Sequence, residues 1–286
     1  MEEKYTLKLN NGMEIPRLGM GTWFLGENKK TEEQEIKALR AGIDAGIQLI
    51  DTAEMYGSGK AEQLIGKAIQ GYERDKLFLI SKVYPHNAGR KHIFKSVQQT
   101  LKNLKTDYLD MYLLHWRGAI PLEETVACME QLVKEGRIKS WGVSNFDTDD
   151  MEELFEIPEG THCAVNQVLY HLGSRGVEYE LLPWLEEHHV PLMAYCPLAQ
   201  AGELRKGLLE NQTVKQIAEQ HGVNEMQILL AFVLHQENVI AIPRSGKAEH
   251  VLQNQMVWDI TLSDEEYAAL NAAYPAPAYK TYLDIV

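Results

Sequence analysis

Residues 78–115 have the sequence FLISKVYPHNAGRKHIFKSVQQTLKNLKTDYLDMYLLH. The segment begins with an apolar run at 78–83 and ends with another at 110–115. Each run has the length and the near-continuous hydrophobicity of a strand that is buried on both faces. Between them, residues 93–104 have the pattern of an amphipathic helix. A strand, a helix and a second strand in this order predict a βαβ unit with parallel strands.

The same alternation of strand and helix continues over the rest of the chain. Strand-like runs occur at 17–21, 49–53, 78–83, 110–115, 140–145, 164–168, 192–196 and 239–243. Further helices are predicted at 61–70, 122–135, 148–155, 179–188 and 223–235. Thr31 and Ser263 each begin a segment with capping-box spacing, which predicts a helix start, and Gly46 is the predicted stop of the first of these helices.

The predicted fold is α/β, a single (β/α)8 TIM barrel over residues 1–286, because eight parallel strands are the number that closes such a barrel. Residues 6–15 contain an Asn-Asn-Gly turn, which predicts a β-hairpin that caps the barrel bottom. The competing fold is an open doubly wound sheet with a G-x-G-x-x-G fingerprint. Phe24 stands where Gly19 and Gly21 would require the third glycine, so the barrel is favoured.

The composition is strongly acidic. The chain has 41 acidic and 28 basic residues and a formal net charge of −13, which repels polyanions and disfavours nucleic acid and anionic membranes as partners. The N-terminus has no basic start followed by an apolar run, and no apolar stretch reaches the roughly 20 residues of a membrane span. Three scattered cysteines indicate a reducing compartment. We therefore expect a cytoplasmic protein.

Polar residues close three successive predicted strands. Asp51 lies in the second run with Tyr56 just beyond it, Lys82 comes at the end of the third run, and His115 ends the fourth. Catalytic groups of a barrel project from the C-terminal ends of different strands. Each residue alone has a structural explanation. Burying all of these polar groups at one edge would cost free energy, which a functional role would explain. The set therefore predicts an active site at this edge.

Several ordered blocks resemble the aldo-keto reductases, from about residue 5 to the C-terminus. The blocks are 18–23 (LGMGTW), 51–57 (DTAEMYG), 81–83 (SKV), 113–116 (LLHW), 142–146 (GVSNF), 166–167 (NQ) and 194–198 (AYCPL). Within that family, 170–176 (YHLGSRG) and 198–202 (LAQAG) are similar to bacterial methylglyoxal-reductase-type members. The resemblance implies hydride transfer from NADPH to small aldehydes, ketones or α-dicarbonyls. The spacing of Cys and His gives no plausible zinc site, and this chemistry needs no metal.

The resemblance implies that Asp51, Tyr56, Lys82 and His115 form a catalytic tetrad. Tyr56 is the expected general acid, because the carbonyl oxygen must gain a proton as hydride arrives. A tyrosine has an ordinary pKa of about 10, and a nearby Lys82 ammonium is expected to lower it. Asp51 is expected to hold Lys82 charged and aimed. His115 is expected to donate to the carbonyl oxygen or to help relay its proton.

The resemblance also implies cofactor and substrate contacts. The expected nicotinamide-end residues are Gly21, Thr22, Trp23, Ser144, Asn145, Gln167 and the stacking ring of Tyr195. The expected diphosphate loop is 197–204, with Pro197, Leu198, Gln200 and Gly202. The expected residues at the 2′-phosphate and adenine are Arg244, Ser245, His250, Gln253 and Asn254. The expected substrate pocket consists of Trp23, Tyr84, His115 and Trp116.

The chain departs from the commoner family pattern at the adenosine end. It has Arg244 in place of lysine, His250 in place of arginine and Gln253 in place of glutamate. Arginine preserves phosphate binding, but neutral histidine attracts phosphate less near pH 7. NADPH is expected over NADH, with a weaker preference than usual.

Two rival functions stay open at this point. One is a cofactor-bound regulatory subunit with little turnover, and the other is a barrel lyase or isomerase that uses Lys82 as a Schiff-base nucleophile. The sequence does not choose the physiological substrate or the dominant direction of reaction. The resemblance and the acidic charge favour a monomer.

Overall fold

The computed structural model describes residues 5–286 and has a closed barrel at its centre. A hairpin of β1 (Thr6–Lys8) and β2 (Glu14–Pro16) comes first. Eight parallel strands then follow one another around one sheet: β3 (Gly19–Gly21), β4 (Leu49–Asp51), β5 (Phe78–Val83), β6 (Leu109–Leu114), β7 (Ile138–Ser144), β8 (Asn166–Leu169), β9 (Leu192–Tyr195) and β10 (Val239–Ile242). The predicted (β/α)8 barrel is confirmed. That the whole of 1–286 forms one domain stays a prediction.

The seam between the first and last barrel strands closes the sheet. Parallel bridges join Leu18 to Ala241 and Gly21 to Arg244. A Cβ on Gly21 would lie 2.8 Å from the carbonyl oxygen of Ile242, so the seam itself requires a glycine there. The buried Arg17 side chain strengthens the seam, because its Nε donates to the Val239 carbonyl at 3.1 Å.

Eleven helices surround the described barrel: α1 (Glu32–Asp44), α2 (Lys60–Ala68), α3 (Ile93–Leu104), α4 (Leu122–Lys134), α5 (Thr148–Glu156), α6 (Leu181–Glu187), α7 (Glu203–Glu210), α8 (Gln212–His221), α9 (Glu225–His235), α10 (Ala248–Gln255) and α11 (Asp264–Ala273). The sequence did not predict α7, α8 or α10. The first and last of these bury one and two residues, which leaves little apolar periodicity to detect. Within residues 5–286 no helix is long and apolar enough to span a membrane.

The two predicted capping boxes have different outcomes. The box at Thr31 is wrong, because Thr31 has φ −103° and ψ −5° and its hydroxyl donates to Glu35 at 2.7 Å. An N-cap residue typically has an extended backbone, which lets its side chain reach the N–H groups of the first turn. Ser263 has that backbone, and the reciprocal bonds with Glu266 confirm the second box. Gly46 also ends the α1 segment as predicted, with φ +93°.

The hairpin fills the N-terminal end of the barrel, which confirms the predicted cap. Ile15 is 0% exposed and Leu9 3% exposed. Asn10 Nδ2 donates to the carbonyls of Thr161 and Cys163 at 3.0 Å, which ties the turn to the chain before β8. The two hairpin side chains belong to one cluster with inward-facing barrel residues, among them Leu49, Ile80, Met111, Leu113, Val165 and Met193.

We expect Ile15→Ala to lower the free energy of unfolding by about 2 to 5 kcal/mol, because it opens a cavity in a close-packed barrel interior. Ile15→Val removes one methylene and is the graded control, with an expected cost of about 0.5 to 1.5 kcal/mol. Urea titration followed by tryptophan fluorescence measures both. Equal costs for the two variants would show that Ile15 does not plug the barrel.

Candidate active site

Strand register brings the predicted catalytic residues together. Asp51 ends β4, Lys82 lies near the end of the adjacent β5, and His115 directly follows β6. Alternation along β5 decides where Lys82 points. Ser81 faces outward and bonds Glu62 of α2 at 2.8 Å, whereas Ile80 faces the barrel interior. Lys82 shares the inward face with Ile80 and therefore points into the barrel mouth.

The Lys82 ammonium uses all of its donor capacity inside the protein. Its Nζ donates to Asp51 Oδ2 at 2.7 Å, to the Thr52 carbonyl at 2.9 Å and to the Tyr56 hydroxyl at 3.1 Å. The side chain is 0% exposed. Burial lowers the pKa of Lys82, and the Asp51 carboxylate acts against that shift. A lysine held in this way does not fit the Schiff-base role, since a nucleophilic amine needs a free lone pair and access to the substrate.

Two residues expected at the nicotinamide hold Asp51 in place. Gln167 Nε2 donates to Asp51 Oδ1 at 2.9 Å from the far side of the barrel. The Thr22 hydroxyl donates to the Asp51 backbone carbonyl at 2.9 Å. Asp51 therefore faces Lys82 with one carboxylate oxygen and Gln167 with the other. Contact of Thr22 and Gln167 with a nicotinamide stays a prediction.

Tyr56 reaches the site from a tight turn between β4 and α2. Gly57, Ser58 and Gly59 have φ values of +57°, +55° and +86°. Positive φ favours glycine, so two of the three positions have the residue that the turn needs. The turn places the Tyr56 hydroxyl against Lys82 Nζ while its backbone leads directly into α2.

The expected lowering of the Tyr56 pKa is wrong for this structure. Burial raises the pKa of Tyr56 well above its ordinary value of 10, and the negative charge of Asp51 raises it further. Lys82 is a close donor, but the carboxylate that pairs with it offsets its charge. Tyr56 therefore keeps its proton at neutral pH. That is the protonation state in which a residue can act as an acid.

His115 is a neutral imidazole. Burial lowers the pKa of His115 to about 2, and the Lys82 charge contributes to the shift. Its ring centroid lies 5.8 Å from that of Tyr56. Within the described chain its Nδ1 has no hydrogen-bond partner. A neutral ring with one N–H donates a hydrogen bond to an oxygen but adds no positive charge to the site.

The aromatic residues predicted for the substrate pocket lie close to Tyr56 or His115 or to one another, and their contact with a substrate stays a prediction. Trp23 lies 6.4 Å from Tyr56 between ring centroids, and Trp116 lies 4.8 Å from His115 and 5.7 Å from Tyr84. Sequence reasoning missed Phe24. It stacks on Trp23 at 4.5 Å, is 54% exposed and has φ +63°. Its place directly after Trp23 was the available signal.

The residues predicted for the nicotinamide end also meet. Tyr195 ends β9 and donates its hydroxyl to Asn145 Oδ1 at 2.8 Å. Asn145 Nδ2 donates to the His115 carbonyl at 3.1 Å, which joins this group to the tetrad. The Ser144 hydroxyl donates to the Gln167 carbonyl at 2.8 Å. The half-buried Tyr195 ring and the Asn145 amide fit a flat, polar ring system such as a nicotinamide.

The residues predicted for the phosphates and adenine lie beyond β9 and β10. The loop after β9 turns with positive φ at Cys196, Ala199 and Gly202, and it ends where α7 begins. Burial raises the pKa of Cys196 to about 11, so its thiol is protonated and unreactive. Pro197 and Leu198 are buried, whereas Gln200 is exposed.

The far end of the site carries one exposed arginine. Arg244 follows β10 and donates from Nε to the Trp23 carbonyl at 2.9 Å, and Ser245 comes next. A cation and a hydroxyl at the end of a barrel strand fit a phosphate. The unpredicted α10 carries exposed His250, half-buried Gln253 and buried Asn254.

Comparison with known proteins agrees with this arrangement. Residues 17–275 match the model of the aldo/keto reductase family. The chain belongs to the aldo/keto reductase family. It is 51% identical over 286 residues to methylglyoxal reductase YeaE of Escherichia coli, with 100% of both chains covered. It is 35% identical over 271 residues to glyoxal reductase of Bacillus subtilis, with 94% of this chain and 92% of that protein covered.

A solved structure is also similar to this chain in sequence and fold. An aldo-keto reductase from Klebsiella pneumoniae in complex with NADPH has a TM-score of 0.95 and 53% identity, covering 98% of this chain and 99% of that one. The resemblance drawn from the sequence blocks is thus confirmed at the level of family and fold.

We expect acid to destabilise this aldo/keto reductase partly through His115. The folded pKa of His115 is lowered to about 2, so its stabilising effect is complete above the unfolded pKa and is lost as the pH falls. Between pH 7 and 5, the free energy of unfolding should fall by about 2 kcal/mol more in the parent than in His115→Gln. Urea titrations across this range measure the difference. Parallel pH curves for the two proteins would contradict a neutral His115.

Proposed function

We propose that the protein reduces small carbonyl compounds with NADPH, and that α-dicarbonyls such as methylglyoxal are its substrates. The observation that carries the proposal is the buried contact among Asp51, Lys82 and a protonated Tyr56 within an aromatic pocket. The similarity to a methylglyoxal reductase and a glyoxal reductase supports the substrate class. The similar structure with NADPH supports the cofactor.

Each residue of the tetrad has a separate task in this proposal. NADPH supplies the hydride. Tyr56 gives its proton to the carbonyl oxygen, and the negative charge that then forms on Tyr56 lies 3.1 Å from Lys82 Nζ. Asp51 keeps Lys82 protonated. His115 donates a neutral hydrogen bond to the same carbonyl oxygen and so stabilises charge as it develops there.

The raised pKa of Tyr56 agrees with this sequence of events. Before the reaction the Asp51–Lys82 pair is neutral overall, and burial favours the uncharged phenol. During the reaction Lys82 already stands beside the phenolate oxygen, so no group has to move to stabilise the new charge. The lysine therefore stabilises the product of proton transfer without ionising Tyr56 beforehand.

The cofactor and substrate assignments form part of the proposal. Tyr195 would stack on the nicotinamide and Asn145 would hold its carboxamide, with Ser144 and Gln167 beside them. Arg244 and Ser245 receive the 2′-phosphate, and Asn254 faces the adenine. Trp23, Tyr84 and Trp116 line the substrate pocket. Gly21 serves the barrel seam.

We further propose that the enzyme works as a cytoplasmic monomer. The described structure has three free cysteines and no disulfide, which fits a reducing compartment. The tetrad has hydrogen bonds suited to proton transfer, which favours an enzyme over a regulatory subunit.

The deciding experiment follows NADPH absorbance with methylglyoxal and compares the parent with Tyr56→Phe. We expect Tyr56→Phe to lower kcat/KM by about 10²- to 10⁴-fold, because it deletes the general acid. The Kd for NADPH should stay within about twofold, since the ring remains in place. NADH run in parallel should give the lower kcat/KM, because Arg244 attracts the 2′-phosphate that NADH lacks.

Tyr112→Phe is the matched control for this experiment. Tyr112 lies on β6, is 0% exposed, and packs in the cluster between the barrel strands and the surrounding helices. Loss of its hydroxyl should leave turnover unchanged. Tight NADPH binding without oxidation by methylglyoxal or a panel of aldehydes would refute the proposed function, and turnover retained by Tyr56→Phe would refute the proton donor.

A further inference from the structure

Glu54 connects the turn that carries Tyr56 to the loop that follows β5. It comes shortly before Tyr56 in the chain, and its backbone N–H donates to the Lys82 carbonyl at 3.2 Å. Its side chain bonds the loop beyond β5. Oε1 accepts from the backbone N–H of Tyr84 at 2.7 Å and from Asn87 Nδ2 at 3.0 Å. One carboxylate oxygen therefore fixes the backbone of Tyr84 and the turn that follows it.

Tyr84 has a packed side and an open side. Its ring meets the Trp116 ring edge-on, with 5.7 Å between the centroids. It also lines an open groove of about 280 Å³ between α2 and α3, where the surrounding side chains are polar. One water molecule needs only roughly 10–15 Å³, so solvent and not packed protein borders Tyr84 on this side. Packing alone does not fix Tyr84, and its position depends on the bonds that Glu54 accepts.

We propose that Glu54 is a positioning residue that determines how tightly the carbonyl substrate binds. Its backbone belongs to the Tyr56 turn and its side chain holds Tyr84, so it sets the distance between the proton donor and one wall of the pocket. The inference rests on the proposed function, since it takes Tyr84 as a wall of the substrate pocket. Glu54 acts through Tyr84 and does not touch the reacting atoms.

The contacts of Glu54 separate substrate binding from proton transfer. Its bond to the Lys82 carbonyl comes from the backbone N–H and remains when the side chain is replaced by methionine. The bonds from Lys82 Nζ to Asp51 and Tyr56 do not involve the Glu54 carboxylate. Loss of the side chain should therefore raise KM and change kcat little, as expected for an interaction made equally in the ground state and the transition state.

The test compares the steady-state kinetics of the parent, Glu54→Met and Glu54→Gln with methylglyoxal at saturating NADPH. We expect Glu54→Met to raise KM about tenfold, because both side-chain bonds are lost, and to change kcat by less than about threefold. Glu54→Gln keeps an oxygen at the position of Oε1, where both donors meet, so its KM should stay within about twofold of the parent. The Kd for NADPH should be unchanged in both variants.

Glu124→Met is the matched control. Glu124 of α4 is half-buried like Glu54, and its Oε1 accepts from the backbone N–H of Arg90 at 2.8 Å, further along the same loop. The substitution removes the same kind of bond from the loop, but away from the pocket wall. Its KM should therefore stay within about twofold of the parent.

Two further measurements follow the link through Tyr84. In a double-mutant cycle, Glu54→Met should raise KM no further once Tyr84→Ala is present, because the residue through which it acts is gone. Amide hydrogen exchange of Tyr84, followed by NMR, should be about tenfold faster in Glu54→Met and unchanged in Glu54→Gln and Glu124→Met. The exchange measurement does not depend on turnover.

Several results would overturn the proposal. An unchanged KM in Glu54→Met would show that Glu54 does not position the pocket. An equal rise in Glu124→Met would reduce the effect to general loosening of the loop, and an equal rise in Glu54→Gln would assign it to charge. A parent that reduces no carbonyl compound refutes the proposed function, whereas unchanged exchange of the Tyr84 N–H in Glu54→Met refutes the role of Glu54 whatever the turnover.

Discussion

The buried ammonium of Lys82 is the constraint on which the rest of the site depends. An unpaired charge in a barrel interior is strongly destabilising, so the fold has to supply a carboxylate and further acceptors at fixed places. β4 supplies Asp51 and the turn after it supplies Tyr56. Gln167, on the far side of the barrel, then fixes the second oxygen of Asp51. The pairing of Lys82 therefore depends on barrel closure, because closure brings Gln167 to the carboxylate of Asp51 that binds Lys82.

The two ends of the site differ in their distribution of charge. At the chemical end, a lysine and an aspartate offset each other beside a protonated tyrosine and a neutral histidine. Beyond β9 and β10, Arg205 and Arg244 are close enough for their positive charges to interact, in a chain with a net charge of −13. The overall field opposes an anionic ligand, and these two local charges act against it.

Sequence reasoning recovered what depends on local pattern and missed what depends on tertiary contact. Strand periodicity predicted the barrel, and polar residues at strand ends predicted that Lys82, Tyr56 and His115 would lie together at one end of it. The pattern at Thr31 failed because its hydroxyl bonds Glu35 instead of the first turn. The brace from Gln167 to Asp51 spans 116 positions, so no local spacing could reveal it. The bonds from Arg205 to the carbonyls of Leu198 and Ala199 were missed because α7, which buries only Leu208, was itself not predicted.

The hairpin that fills the lower end of the barrel has a consequence for solvent. Ile15 and Leu9 close that end with tightly packed aliphatic side chains, which conduct neither water nor hydronium. In the proposed mechanism, the proton that restores Tyr56 therefore arrives through the open mouth of the barrel, through which the alcohol also leaves. Because the lower end of the barrel is closed, proton supply and product release use the same opening. The hairpin, at the opposite end of the barrel from Tyr56, thereby limits the route of proton supply to the barrel mouth.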